Sequence, residues 1–275
     1  MSKALFAAST VALLGLSTTA QSAAVMITVA PMSCKLDPAD MAPVTPNVGA
    51  GIAAAGGNKF ALAYNNFLPL AQKGDTEAQR QLGHLMMRCV QPEDRAQGVV
   101  WLGKAADAGD TEAAYMLGTV YMNGTGVAQD DDKAFFFVSK AAQAGKMEAQ
   151  GTLGYLYSAG RGTPKDAYQA VVWTAKAAEQ GGLVSLYNIA RDYSEGTGLP
   201  QDDNKAAYYM RVAYRRTPPN QIKNYATLIN AIAGKLNQSD MVDANRRALR
   251  WGAGKGSMSE VLDDAKKWQK QNSKS

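Results

Sequence analysis

The sequence predicts an all-α protein. It reads as an α/α solenoid, wound as a right-handed superhelix, of about four to five helix-turn-helix repeats with a helical C-terminal cap. Three observations predict this. A glycine recurs at Gly74, Gly109, Gly145 and Gly181, in steps of 35, 36 and 36 residues. A large ring recurs at Trp101, Phe137, Trp173 and Tyr209, each 36 residues after the last. A Gly-x-Gly loop recurs at Gly124, Gly160 and Gly196. A period of this length marks small helical units that cannot bury their apolar faces alone and must stack.

The chain opens on an expected export leader, residues 1–24. A short basic start precedes a mostly apolar run over 4–16, and a small, polar stretch follows with Ala20, Ala23 and Ala24 as cleavage residues. The apolar run is too short for a membrane span. No cysteine sits just after the cleavage zone, which argues against a bacterial lipid anchor. No later stretch is apolar enough to cross a bilayer, so the mature chain is expected to be soluble, in the periplasm or secreted.

Residues 25–58 are rich in Ala, Gly, Pro and Met and lack a period, so an extended arm is expected there. Cys34 and Cys89 are the only cysteines. An even count in an exported chain suggests one disulfide, although spacing alone leaves two free thiols open.

The repeat array is placed over residues 59–216. In its middle unit, Gly98, Trp101, Leu102, Ala105 and Ala106 share one helical face. Gly109 suits a left-handed helix end, and Asp110 or Thr111 caps the next helix. That helix runs through Ala113, Leu117 and Tyr121 and stops at Asn123-Gly124. Ala and Gly let the two helices approach closely, and the rings at Trp101, Phe137 and Trp173 are read as core that fills the remaining space. The tyrosine column Tyr121, Tyr157 and Tyr193 is read as structural. Asp130 and Asp202 are expected to cap helices rather than bind calcium, because the ligand spacing and a terminal Glu are absent. Past Tyr209 the pattern decays. Thr217-Pro218-Pro219 breaks the helix. Helices are then expected near residues 221–236 and 240–251, within a C-terminal cap and basic tail spanning 217–275.

These motifs carry a family resemblance. Trp101-Leu102-Gly103-Lys104-Ala105-Ala106, then Glu112-Ala113 with Leu117-Gly118 and Tyr121, then Gly124-Thr125-Gly126-Val127 with Asp130 resemble the Sel-one-like repeat. That family is a subclass of the tetratricopeptide-type solenoids. The resemblance covers about residues 60–216 in repeated phase. The first unit departs from it, with Met86-Met87-Arg88-Cys89-Val90-Gln91-Pro92 in place of the glycine loop. The resemblance implies a protein–protein interaction module. A secreted, cysteine-rich branch of the family implies an alternative, a weak hydrolase or β-lactam-binding protein. Those relatives carry a disulfide in each repeat, and this chain does not. A cell-envelope or peptidoglycan accessory factor is a third reading that overlaps the first.

Enzymatic chemistry finds little support. His84 is the single histidine, at a position occupied by Thr119, Tyr155 and Arg191 in later units, and is read as surface-facing. No nucleophile motif or zinc-ligand set is present, so no catalytic residue, metal or cofactor is assigned. The glycine-rich run at 252–257 lacks the earlier glycine and the preceding strand of a phosphate loop. Charge is uneven: residues 25–210 carry 15 basic and 19 acidic side chains, and residues 211–275 carry 13 and 5. A basic end of this kind steers acidic partners or is simply solvated.

A solenoid of this type presents the first helix of each pair, here the ring-bearing one, on its concave side. Opposite the Trp/Ala face stand Val100 and Lys104, Phe136 and Lys140, Val172 and Lys176, then Tyr208 and Arg211. They form the candidate partner-binding groove, an apolar floor beside a basic ladder suited to a protein or peptide bearing carboxylates. The lysines have a second reading, since a cation is favourable at a helix C-terminus without any ligand. Nucleic acid is not expected as a partner.

Overall fold

Aspartates start the helices of the array. Asp75, Asp110, Asp130, Asp166 and Asp202 each accept a hydrogen bond from the backbone N–H three residues on, at 2.7–3.0 Å. Each satisfies an amide that the helix leaves unpaired and places negative charge at the positive end of the dipole. Glycines stop the helices: Gly124, Gly160 and Gly196 take the left-handed conformation just past a helix. Residues expected only to be caps are therefore caps, with Asp110 rather than Thr111 serving the middle unit.

The computed structural model describes Cys34, residues 44–251 and residues 257–273. The expected leader, most of the arm and the glycine-rich run at 252–256 lie outside the described residues. Every regular element among the described residues is helical. In order they are α1 (Val48–Gly56), α2 (Phe60–Gln72), α3 (Thr76–Met87), α4 (Pro92–Asp107), α5 (Thr111–Asn123), α6 (Asp131–Gln143) and α7 (Met147–Ala159). Then come α8 (Ala167–Glu179), α9 (Leu183–Glu195), α10 (Asp203–Arg216), α11 (Ala226–Ala233), α12 (Gln238–Arg250) and α13 (Ser259–Asn272). A 3-10 turn, Pro219–Tyr225, stands where the sequence suggested the start of an α-helix. The two prolines end α10 and force that tighter start.

The Leu-Gly motif sets which helices pair. A Cβ on Gly83 would meet the Leu102 side chain at 2.7 Å and the Gly98 carbonyl at 2.9 Å. One on Gly154 would meet the Ala170 carbonyl at 2.9 Å. These glycines bring α3 against α4 and α7 against α8 at backbone contact. The period is as the sequence predicts, but the tight pair is the Leu-Gly helix with the ring-bearing helix after it. The unit thus begins one helix earlier than the pattern suggested, so the ring-bearing helices that carry the expected groove are the second of each pair, not the first.

Residues 48–56 were expected in an extended arm and instead form α1. Asn47 caps it, accepting from the Ala50 amide at 3.0 Å, and Gly51 lies against the Phe67 ring. The small side chains that hide any period are what let this helix pack closely. Cys34 is bonded to Cys89, 55 positions along the chain, with Cα atoms 5.5 Å apart. The bond ties the start of the chain to the first repeat.

Buried residues fall into three contiguous cores along the array. Leu82, Leu117 and Leu153 fill equivalent central positions and are fully buried. Trp101, Phe137 and Trp173, expected as core, are only half-buried and pack on the edges of these clusters. Their Ala and Gly neighbours close the helix pairs so tightly that the rings are left at the rim. Only in the last unit is the ring, Tyr209, fully buried.

Candidate partner-binding face

The ring-bearing helices α4, α6, α8 and α10 carry all eight residues of the expected groove. The apolar series is real but not uniform. Val100 is 49% exposed and Phe136 is 61% exposed, both large apolar side chains facing outward. Phe136 packs edge-on against Phe137, with ring centroids 5.1 Å apart. Val172 is half-buried. Tyr208 is covered: Trp251 meets it edge-on at 5.9 Å, and the Arg247 guanidinium lies over its ring at 4.7 Å. The open part of the apolar series is therefore Val100 on α4 and Phe136 on α6, and α12 closes the fourth position.

The basic series divides by chemistry. Lys104 and Lys176 are exposed, and their ammonium groups lie over the Trp101 and Trp173 rings at 4.0 and 3.8 Å. Each Trp face thereby carries a fixed positive charge at the rim. Lys140 does something else: its Nζ donates to the Ala106 carbonyl at 2.6 Å, capping the end of α4 from the next unit. Arg211 is half-buried beside Tyr214, so it is no free rung of the ladder. Sequence spacing placed these four side chains in one row without separating these roles.

The C-terminal helix α13 packs along α8 and is tied to α9 and α10 through Tyr193 and Lys205. Its start is fixed at the end of α8, where Glu179 Oε1 accepts from the Met258 amide at 3.2 Å. Its far end reaches the loop before α10, where Trp268 Nε1 donates to the Gly196 carbonyl at 3.0 Å. Since the loop after α9 packs on the start of α8 at Ala167, α13 runs antiparallel to α8. Met258, Val261 and Ala265 are buried in one apolar cluster that also holds Val171, Ala175, Tyr193 and Tyr209.

A polar centre holds this packing. The Tyr193 hydroxyl donates to Asp264 Oδ2 at 3.0 Å, and Lys205 Nζ pairs with Asp264 and, at 2.8 Å, with Glu260. Burial opposes the Asp264 charge, but hydrogen bonds from Lys205, Lys267 and Tyr193 outweigh it, so its pKa lies below the ordinary carboxylate value. Burial drives the Tyr193 phenol upward, so it remains a donor. The sequence reading missed this centre. Its signal was available as a Lys and an Asp 59 residues apart, but no local spacing links them.

Chemistry elsewhere is sparse among the described residues. His84 is half-buried on α3 rather than fully surface-facing. Burial, then Arg88 and Arg80, push its pKa below the usual value and keep it neutral. Asp94 lies near Cys34 and Cys89, but those sulfurs are used in the disulfide. No described helix is long and apolar enough to cross a membrane.

The Sel1 repeat profile matches residues 76–110, 111–146, 148–182 and 183–217, together just over half of the chain. The chain belongs to the Sel1 repeat family. The matched boundaries pair α3 with α4 and α5 with α6, the phase that the Leu-Gly contacts set. Sel1 repeat proteins are generally protein-interaction scaffolds. Among solved structures, the chain is similar to c5321, a protective antigen of uropathogenic Escherichia coli displaying an SLR fold. The TM-score is 0.64 at 23% identity, over 82% of this chain and 47% of that one. It thus spans about half the length of c5321. It is also similar to a Sel1 repeat protein from Oxalobacter formigenes, with TM-score 0.56 and 24% identity, over 73% of this chain and 84% of that one. At these identities the likeness concerns the fold. No curated protein matches the chain in sequence.

Proposed function

We propose that this Sel1 repeat protein is an exported, non-catalytic scaffold that binds a protein or peptide partner along the face made by α4 and α6. One observation carries the reading. Val100 and Phe136 stand at equivalent positions of successive units and are open, whereas Tyr208, two units beyond Phe136, is covered by the chain's own α12. A monomer rarely leaves aligned large apolar side chains outward on a repeating face without a partner for them. The tryptophan-backed charges of Lys104 and Lys176 border this strip and favour a partner with carboxylates.

Export is supported by the leader-like start and by the Cys34–Cys89 bond, which persists in oxidising compartments. The periplasm, or secretion from it, is the expected location. The test is capture of the partner from the envelope fraction with the parent protein and with Val100→Asp/Phe136→Asp. Both side chains are exposed, so the variant folds. Loss of the captured partner supports the reading, and undiminished capture removes this face as the binding surface.

A further inference from the structure

Because the array repeats, the seat of α13 has a counterpart two units earlier. Every residue that holds α13 has an equivalent 72 positions upstream, in the furrow between α4 and α6. Lys133 stands for Lys205, and Tyr121 for Tyr193. The lysine lies over the tyrosine ring in both, at 5.1 Å for Lys133 and 5.5 Å for Lys205. Phe137 stands for Tyr209 and stacks on Tyr121 at 5.9 Å, as Tyr209 stacks on Tyr193 at 5.7 Å. Asp107 stands for Glu179, the residue that caps the start of α13.

The upstream seat differs in being uncovered, and in the partner of its lysine. Lys133 pairs with its own cap residue Asp130 at 3.0 Å, a bond an incoming carboxylate would have to share or replace, whereas Lys205 pairs with α13. Tyr193 and Tyr209 are fully buried under the C-terminal helices, whereas Tyr121 and Phe137 are half-buried and Lys133 is exposed. Ala175, pressed against α13, has Gly103 as its equivalent, and a Cβ built there meets nothing within 4 Å. The furrow between them, from α6 to α8, lacks these features. Gln169 replaces the lysine, and Phe135 stands at the Val171 position, edge-on to Tyr157 at 5.4 Å.

We infer that the α4–α6 furrow is a helix-binding seat for a partner protein, taking an amphipathic helix of the pattern that α13 displays. Such a helix carries small or unbranched apolar residues on one stripe, as at Met258, Val261 and Ala265, and a carboxylate within that stripe, as at Asp264. The carboxylate is received by Lys133 and the Tyr121 hydroxyl. The amide end of the helix meets Asp107, and the helix lies antiparallel to α4. The inference rests on the reading of this face as a binding surface and names the chemistry of what it binds.

The probe is a labelled peptide of this chain's residues 257–273, helix-locked through its outward positions, titrated into the full-length protein. It should bind saturably. Lys133→Gln should weaken it about tenfold, as should Asp264→Asn in the peptide, because each removes one side of a charge-assisted pair. Gly103→Leu should weaken it by filling the open space without disturbing the fold. No binding at millimolar peptide overturns the inference. So does binding that ignores Lys133→Gln but responds to Lys205→Gln, which would mean exchange with the resident α13. A doubled mass of the protein alone, abolished by Lys133→Gln, would seat a second copy's α13 there and overturn the assignment to a partner. If the peptide fails while partner capture still depends on Val100 and Phe136, the helix seat alone falls. Capture that ignores those two residues sinks the wider reading by itself.

Discussion

Two glycines in the array should respond to alanine with opposite signs. Both lie inside helices, so replacing either recovers about 0.5–1 kcal/mol of helix propensity. At Gly103 on α4 nothing lies within 4 Å of the new Cβ, so that gain stands alone. At Gly154 on α7 the Cβ would sit 2.5 Å from Thr174 Oγ1, 2.9 Å from the Ala170 carbonyl and 3.2 Å from the Thr174 amide. Two of those atoms are helix backbone, so α7 and α8 must separate. Overpacking of this kind costs about 1–3 kcal/mol, and the tight backbone contact argues for the upper half. The net loss for Gly154→Ala is then about 1–2 kcal/mol, against a gain of up to about 1 kcal/mol for Gly103→Ala. For a chain of this size the two midpoints should part by about 3–10 °C. Thermal and urea unfolding of the oxidised protein, followed by helical circular dichroism, measures this. Midpoints that move in the same direction would refute the argument that Leu-Gly sites are backbone contacts between paired helices.

Three further outcomes follow from single interactions. Reducing the Cys34–Cys89 bond should lower stability by about 2–4 kcal/mol, since it closes a long loop, and urea midpoints with and without reductant show it. Asp192 occupies a place held by Leu85, Val120 and Leu156 in the other units, and burial lifts its pKa to about 6. A raised carboxylate pKa means the folded state holds the proton more tightly, so stability should fall as pH rises from about 4 to about 6. Asp192→Asn should flatten that slope, and a parent-like slope in the variant counts against the assignment. Asp264 has the opposite sign: its pKa is held down, so its support is present above the ordinary carboxylate pKa and is lost as pH falls through the lower folded value. Trp268 fluorescence should report release of α13 in acid, and in Asp264→Asn that acid step should be absent.

Much of the fold was legible because the array repeats the same residues at the same spacing. Gly109, Gly145 and Gly181 all adopt positive φ between helices, as their recurrence implied. What stayed hidden depends on three-dimensional neighbours. The phase of the unit turns on whether Gly83 and Gly154 face the preceding or the following helix, and a one-dimensional period is the same either way. The half-exposure of Trp101 and Trp173 follows from how tightly their Ala and Gly neighbours close the pairs. Helix α1 escaped notice because Gly and Ala at nearly every position erase the apolar stripe. At the candidate face, Val100, Phe136, Lys104 and Lys176 stand outward as the spacing suggested. Lys140 and Tyr208 fell into the same row but are taken up by Ala106 and by Trp251 with Arg247. The seat of α13 joins residues up to 79 positions apart, a separation no local motif encodes.

The central claim is that partners are held on the face of α4 and α6. Photo-crosslinking in the living cell tests it most directly, with the reactive side chain placed at Val100 or Phe136 and, as controls, at Glu77 on α3 or Ser158 on α7, which are also exposed. One discrete crosslinked species is expected from positions 100 and 136, lost when Lys133→Gln is added, and none from positions 77 and 158. Crosslinks from 77 and 158 with none from 100 and 136 would contradict it.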